Sequence, residues 1–299
     1  MSNFKLAAIG LDTSHTVAFT TLIQGQDTPA EQRISGLKVT RALRFPSAFQ
    51  AEDGQNQRQA QMEALGVRMA ESFDEAVKDA DGILLELNDR AMHLEYVEKA
   101  VQTGLPVFLD KPLADSLESG KRIVELVKSR NIRFWSSSPC RFFQPLADAK
   151  AAVGDALFCN VFGALGKAAK GSDVIWYGVH VIEMINSLMG RGAESVTAQE
   201  DALGIVATIQ YSGGRRAVAE LNRNTGLYGG RVQNKNGCKF FINTDAPLPL
   251  YWYLMKQVKS FFLDGAQPIE IADSLESQAI LDAVDRSRLD GKTVAVAAI

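Results

Sequence analysis

The stretch DGILLELNDRAMHLEYVEKAVQTGLPVFLDKP, residues 81–112, decides the fold class of this chain. Two short apolar runs, Gly82–Leu87 and Pro106–Leu109, enclose a helical pattern over Ala91–Thr103 that ends at Gly104. Glycine in that position takes the left-handed backbone angles that end many helices. Apolar strands joined through a helix are typical of a parallel sheet covered on both faces. The stretch therefore predicts a strand–helix–strand unit of an α/β protein.

The same alternation runs through residues 5–140 and predicts a doubly wound parallel sheet of the Rossmann type. After about residue 145 the strand-like runs group together, which favours an α+β domain with a mostly antiparallel sheet. We therefore predict a nucleotide-binding domain over residues 1–140 and a second domain over residues 141–299. Capping boxes at Ser72–Glu75 and Asp273–Glu276 predict the starts of two helices.

Composition narrows the class of protein further. The 299 residues are 46% hydrophobic and 22% charged, with a net charge of -3, as in ordinary soluble globular proteins. There is no basic stripe for nucleic acid and no apolar run long enough for a membrane span. Three cysteines far apart in the sequence predict neither a disulfide framework nor a zinc site, and favour a reducing cytoplasm. The N-terminus lacks the pattern of a signal peptide, which also predicts a cytoplasmic location.

The turn after the first strand, Gly10-Leu11-Asp12-Thr13-Ser14-His15, keeps only the first glycine of the dinucleotide-binding pattern. Free N–H groups at the start of the next helix, with the hydroxyls of Thr13 and Ser14, suit a phosphate. The carboxylate of Asp12 repels one. Two interpretations stay open: these side chains only cap the helix, or they cap it and also hold a ligand.

The end of the second strand carries Arg44 and no acid. An acid there commonly binds the ribose of NAD, whereas an arginine suits the 2′-phosphate of NADP. The sequence therefore favours NADP over NAD slightly, with a solvated surface arginine as the alternative.

Two further segments carry candidate catalytic groups. In Leu109–Leu113 the proline restricts Lys111 and holds its amine at the carboxyl end of a strand, where it is suited to stabilise an alkoxide. On a predicted helix, Trp176, His180 and Glu183 share one face, and Tyr177 lies one turn before the histidine. An imidazole is suited to take a proton from a hydroxyl at neutral pH. The alternatives are an exposed lysine and a buried histidine bonded to Glu183.

Taken together, these motifs resemble the Gfo/Idh/MocA oxidoreductases, the family of glucose–fructose oxidoreductase and inositol dehydrogenase. The resemblance rests on the order and spacing of several short segments along most of the chain. These segments are Ala7–Gly10, Leu84–Leu109 with His93, Asp110-Lys111-Pro112, Cys140–Pro145, Gly178-Val179-His180 and Ser274–Val294.

The resemblance implies reversible hydride transfer between NAD or NADP and a carbinol of a sugar or polyol. Lys111 is then expected to polarise the substrate oxygen and His180 to act as acid and base. It also implies an open C-terminal sheet through which a homodimer or homotetramer forms. The residues expected at the cofactor are Gly10, Asp12, Thr13, Ser14, His15, Arg44, Asn88, His93 and Lys111. Those expected at the substrate are Arg141, Trp176, Tyr177 and His180, and no metal is expected.

The sequence departs from the family pattern at two places. Trp176 stands where the family commonly has an aspartate four residues before the histidine, and the first turn has lost its later glycines. Subgroups of the family share such a Gly-Leu-Asp-Thr-Ser-His turn. These departures keep a second hypothesis open, a sensor or accessory protein that binds a nucleotide or sugar without turnover. A third is a metal-dependent lyase or isomerase that uses His15, His93, His180 and Glu183.

Overall fold

The structure is a computed structural model that describes residues 3–299. It contains two compact units. The first consists of residues 3–114, 122–136 and 251–271, and the second of residues 115–121, 137–250 and 272–299. No helix within the described residues has both the length and the apolar character that a membrane crossing needs.

The first unit is built on a six-stranded parallel sheet with the strand order β3-β2-β1-β4-β5-β6. This order reverses between β1 and β4, which is the point where Rossmann sheets bind their ligands. The strands are β1 Phe4–Ile9, β2 Leu37–Leu43, β3 Arg68–Ala70, β4 Gly82–Leu85, β5 Val107–Asp110 and β6 Phe134–Ser137. The helices between them are α1 His15–Gln24, α2 Glu52–Ala64, α3 Phe73–Val77, α4 His93–Val101 and α5 Leu117–Ser129.

Aromatic side chains fix a later helix to this sheet. The ring of Trp135 lies 5.0 Å from that of Phe108 on β5 and 6.1 Å from that of Phe261, measured between centroids. Phe261 belongs to α8, Leu250–Asp264, and all three rings are buried. Buried aromatic side chains contribute more apolar area than any other residue type. Residues 251–271 therefore pack with the first unit although they lie far along the chain.

The second unit contains a seven-stranded sheet with the order β12-β11-β7-β10-β9-β8-β13. Its pairs are antiparallel except for β7 with β10. The strands are β7 Phe158–Ala164, β8 Ala193–Glu200, β9 Gly204–Tyr211, β10 Arg216–Asn222, β11 Gly229–Gln233, β12 Cys238–Ile242 and β13 Val294–Ala295. The helices are α6 Gln144–Val153, α7 Val179–Met189 and α9 Ile271–Asp290. The predicted fold class is confirmed.

Five short 3-10 turns lie between these strands and helices within residues 3–299. They are Ala30–Gln32, Arg90–Met92, Pro139–Arg141, Ser212–Gly214 and Asn243–Asp245. A π-helical turn, Val174–Gly178, leads directly into α7.

Of the two capping boxes in the sequence, the structure confirms one as a helix start and not the other. The box at Ser72 is confirmed, because the Ser72 hydroxyl accepts the Glu75 N–H at 3.2 Å. The box at Asp273–Glu276 is wrong, since α9 already begins at Ile271. There Glu276 instead accepts the N–H groups of Gly192 and Ala193, at 2.7 and 2.9 Å. The glutamate of the predicted capping box is therefore a buried residue within α9 that hydrogen-bonds the backbone at Gly192 and Ala193.

Candidate functional site

The first turn begins at Gly10, which follows β1 directly. Its φ of +114° lies in the region that favours glycine. A Cβ at this position would lie 2.2 Å from the carbonyl oxygen of Glu86. The turn therefore passes against the backbone that follows β4, and only glycine permits this approach.

Asp12 ties the first turn to the loop after β4. Its carboxylate accepts the backbone N–H groups of Asn88 and Asp89, at 2.9 and 3.2 Å, and the hydroxyl of Ser47 at 2.7 Å. The amide of Asn88 donates in return to the carbonyl of Asp12 at 3.2 Å. These hydrogen bonds partly compensate the charge of Asp12 within the chain, which reduces its repulsion of an anion bound beside the turn.

The start of α1 retains N–H groups that suit an anionic ligand. Ser14 occupies the N-cap position but makes no side-chain cap hydrogen bond within the described residues, and it is exposed. Thr13 accepts the N–H of His15 at 3.2 Å, so Thr13 supplies the local capping contact. Because helix N-termini attract anions, Gly10, Thr13 and Ser14 fit the phosphates of a dinucleotide.

A buried polar cluster lies beside this turn, at the carboxyl ends of β1, β4 and β5. Nδ1 of His15 lies 2.6 Å from Oδ2 of Asp110, the last residue of β5. Burial alone acts to raise the pKa of Asp110, but His15 and Lys111 hold it below its usual value. Lys111 is itself only 7% exposed. The predicted lysine therefore lies in the switch region of the sheet, next to an ionised aspartate.

Glu86 is a member of this cluster that sequence reasoning missed. It is fully buried directly after β4, and burial, followed by the charge of Asp110, raises its pKa well above the usual value, against the opposing charge of Lys111. The signal was present in the sequence, because Glu86 is a lone carboxylate inside the apolar run GILLEL.

His93 occupies a structural position. Its ring is fully buried, with Nε2 2.9 Å from the carbonyl oxygen of Leu87 and Nδ1 3.4 Å from that of Leu113. The imidazole thus links the loop after β4 to the turn after Lys111. Its expected place at the cofactor stays a prediction, and these contacts give it a separate role in shaping both loops.

His93 gives a prediction for stability against pH. Burial lowers the pKa of His93 below its usual value, so the folded protein takes up this proton less readily than the unfolded chain does. The free energy of unfolding is therefore expected to fall as the pH drops below about 6.5. Urea unfolding of the wild type and of His93→Gln at pH 7.5 and 5.5 measures this. The variant is expected to be less stable at pH 7.5 yet to lose less on acidification, and equal losses would contradict the role.

Arg44 lies at the end of β2 but is not left to solvent. Its guanidinium donates to Asn56 at 2.7 Å, to Gln59 at 2.9 Å and to the carboxylate of Glu52, all on α2. Arg44 therefore lies at the expected strand end, but it is paired with Glu52, an acid that the sequence analysis did not single out.

In the second unit, His180 lies in the first turn of α7, just after the π-helical turn. Such turns occur often at functional sites. Nδ1 of His180 lies 2.7 Å from the hydroxyl of Ser138, which also accepts the N–H of Cys140 at 3.1 Å. The rings of Tyr177 and Tyr228 flank the imidazole at 5.2 and 5.5 Å between centroids. Ser138 is a second residue that the sequence analysis missed.

Glu183 belongs to a separate buried network one turn further along α7. Its carboxylate accepts the hydroxyls of Ser137 at 2.6 Å and Ser277 at 2.7 Å, and Arg141 pairs with it at 3.3 Å. Arg141, expected at the substrate, is thus held by an acid on the helix that carries His180.

Trp176 and Tyr177 both lie in the π-helical turn, and their rings are 4.9 Å apart between centroids. Both rings also pack on Gly166, where an added Cβ would lie 2.9 Å from Trp176 and 3.0 Å from Tyr177. Both side chains remain partly exposed. Their expected contact with substrate stays a prediction, and the structure gives Tyr177 a defined contact with His180.

Comparison with known proteins agrees with this arrangement. Residues 45–138 match the family model described as "Oxidoreductase family, NAD-binding Rossmann fold". An uncharacterized oxidoreductase of Streptococcus pneumoniae serotype 4 is 29% identical in an alignment of 153 residues that covers 45% of this chain. The chain spans 41% of the length of that curated relative.

Solved structures resemble the fold over nearly the whole chain. Scyllo-inositol dehydrogenase from Lactobacillus casei, solved with NAD(H) and scyllo-inositol, gives a TM-score of 0.80 at 16% identity and covers 99% of this chain and 100% of its own. Myo-inositol 2-dehydrogenase from Lactobacillus plantarum gives 0.80 at 17% identity, with the same coverage. GenD2 from gentamicin A biosynthesis, in complex with NAD, gives 0.79 at 16% identity and covers 100% of this chain and 97% of its own. At these identities the likeness is one of fold.

The sheet order, the glycine at the end of β1 and the matched segment define an oxidoreductase-type Rossmann fold of the NAD-binding class. Residues 45–138 thus resemble the Gfo/Idh/MocA oxidoreductases, as the motifs of the sequence predict.

Proposed function

We propose that this protein is an NAD- or NADP-dependent oxidoreductase that transfers a hydride to or from a carbinol of a sugar or polyol-like substrate. The observation that carries the proposal is the position of Lys111, at the carboxyl end of β5 and beside the switch region between β1 and β4. An ammonium group in that position is suited to stabilise negative charge on an alkoxide oxygen. The likeness in fold to inositol dehydrogenases supports a polyol as the substrate class.

The residues of the first unit suit a dinucleotide in a defined way. Gly10, Thr13 and Ser14 hold the phosphates, while Asn88 is fixed through Asp12 in the loop after β4. The bound nicotinamide supplies the hydride acceptor or donor. Lys111 binds and polarises the substrate oxygen. Two further predicted cofactor contacts, His15 and His93, act by shaping the turns around it.

We propose His180 as the group that removes or returns the hydroxyl proton. Its ring is oriented by Ser138, Tyr177 and Tyr228. Arg141, in the turn after Ser138, and Trp176, beside Tyr177, are the candidates for binding substrate. Residues 1–140 then serve the nucleotide and residues 141–299 the substrate. We further propose a homodimer or homotetramer formed through the second sheet, in the cytoplasm.

The choice between NAD and NADP is proposed to depend on Arg44 and Glu52. Arg44 suits a 2′-phosphate, whereas the Glu52 carboxylate paired with it repels one. Glu52→Gln is therefore expected to raise kcat/KM for NADP relative to NAD by about tenfold. Arg44→Ala is expected to shrink any preference for NADP. Steady-state kinetics with both cofactors measure the ratio, and Glu118→Gln, at an exposed acid on α5, is the control. An unchanged ratio in both variants would remove this pair from cofactor selection.

The proposal is tested by measuring NAD and NADP affinity through protein fluorescence, then turnover on a panel of inositols and sugars. The competing function is a sensor that binds a nucleotide or sugar without turnover, favoured by the loss of glycines after Gly10. Reduced cofactor formed with any polyol supports the enzyme. Tight binding of cofactor without turnover on the whole panel supports the sensor.

A further inference from the structure

His15, Glu86 and Asp110 bring one imidazole and two carboxyl groups together within the first unit. One potential ligand atom from each residue lies within 4.8 Å of the others, and all three side chains are buried. They come from three separate elements, the start of α1 and the ends of β4 and β5. The parallel sheet therefore places them at one edge, although they are far apart in the sequence.

The carboxyl oxygens of this cluster are not satisfied by the protein. Both side-chain oxygens of Glu86 and Oδ1 of Asp110 are buried and have no hydrogen-bond partner among the described residues. Buried polar groups in native proteins almost always have a partner, and an unpartnered one costs about 1–3 kcal/mol. Three such oxygens beside one imidazole indicate that this group of side chains is organised for a ligand outside the chain.

The ligand must be positively charged or donate hydrogen bonds, because the orphaned atoms are carboxyl oxygens. Lys111 supplies one positive charge nearby, and it acts on both Glu86 and Asp110. Within the described residues, the three orphaned oxygens accept no hydrogen bond from this ammonium group or from any other donor. A divalent cation provides the additional charge and takes lone pairs from all three residues.

We propose that His15, Glu86 and Asp110 bind a divalent transition-metal cation such as Zn²⁺ or Mn²⁺. The mixture of one imidazole with two carboxylates suits these ions, whereas Ca²⁺ and Mg²⁺ take oxygen ligands. The 2.6 Å contact between His15 and Asp110 fixes the orientation of the imidazole, as a carboxylate commonly does for a metal-binding histidine. The resemblance implied no metal, and no local spacing in the sequence relates residues 15, 86 and 110.

Substitutions of Glu86 and Lys111 are expected to change the affinity for the metal ion in opposite directions. Glu86 is expected to supply a ligand atom, so Glu86→Gln weakens binding. Lys111 repels a cation, so Lys111→Met strengthens binding. A nonspecific site on the surface does not produce this pair of opposite changes. The proposal does not depend on the redox function, because metal binding is measured on the protein without cofactor or substrate.

The experiment uses the whole chain without an affinity tag, stripped with chelator and titrated with Co²⁺, Zn²⁺ and Mn²⁺. Calorimetry reports affinity, and the visible absorption of Co²⁺ reports coordination by nitrogen and oxygen. We expect stoichiometric binding by the wild type, at least tenfold weaker binding by Glu86→Gln, and about tenfold tighter binding by Lys111→Met. Affinity is also expected to fall at acidic pH, because the proton competes for the same ligand atoms.

Glu95→Gln on α4 is the matched control, since it removes one carboxylate from an exposed ion pair. It is expected to bind like the wild type. Thermal unfolding checks that each variant is folded, and His15→Asn replaces Glu86→Gln if the latter does not fold. Substoichiometric binding by the wild type, or equal affinity in wild type and folded Glu86→Gln, would overturn the proposal.

Discussion

Replacing Lys111 by alanine is expected to lower turnover about 10²-fold or more while the affinity for NAD or NADP changes little. The expected loss is large because the lysine is 7% exposed and lies at the carboxyl end of β5, where little water is available to replace its charge. An ammonium group acts mainly on the oxygen as negative charge develops, so kcat should fall more than KM rises. Steady-state kinetics on the best substrate of the polyol panel measure both constants.

Lys99→Ala provides the matched control for this experiment. Lys99 is exposed on α4 and pairs with Glu95, so its loss removes the same charge far from the end of β5. It is expected to leave kcat and KM unchanged, because exposed ion pairs contribute little. Near-normal turnover in Lys111→Ala would refute the role of the lysine and assign the substrate oxygen to another group. A loss of cofactor affinity without a change in kcat would make Lys111 a binding residue.

The sequence predicts most of the fold because its signals are local. The apolar runs of residues 81–112 and the glycine at position 104 suffice for a strand–helix–strand unit, and the observed β4, α4 and β5 lie where expected. The errors arise where tertiary contacts override local patterns. At Glu276 a capping pattern marks a buried contact with Gly192 and Ala193 inside α9.

The sequence singles out candidate site residues where one residue carries a chemical signal by itself, as Lys111 and His180 do. It does not do so where the important fact is a contact between distant segments. Asp12 looked unfavourable beside a phosphate until the structure showed two N–H groups and a hydroxyl on its carboxylate. The contact between His15 and Asp110 spans 95 positions, and no periodicity in the sequence encodes it. The partner of His180 likewise comes from Ser138, 42 positions earlier.

Replacing His180 by asparagine is the second prediction with a large expected effect. The removal of a general acid–base group is expected to lower kcat by about 10²–10⁴-fold. The proposed role requires one imidazole to serve both directions of a reversible reaction. When Nδ1–H donates to the Ser138 hydroxyl, Nε2 of the neutral ring carries no proton and can take one from the substrate hydroxyl. The imidazolium that forms then returns this proton from Nε2 to the alkoxide in the reverse direction.

Ser138→Ala separates this positioning role from simple packing. Without the hydroxyl the tautomer is no longer held, so the pH profile of kcat is expected to shift or broaden while KM changes little. Ser138→Thr keeps a hydroxyl and is expected to restore the profile, and Ser129→Ala on α5 serves as the control for an exposed serine. If Ser138→Ala and Ser138→Thr lower kcat equally with no change in the profile, the serine acts through its packing rather than through its hydroxyl. A His180→Asn variant that retains full turnover would transfer the proton step to another group, with Tyr177 the nearest candidate in the same turn.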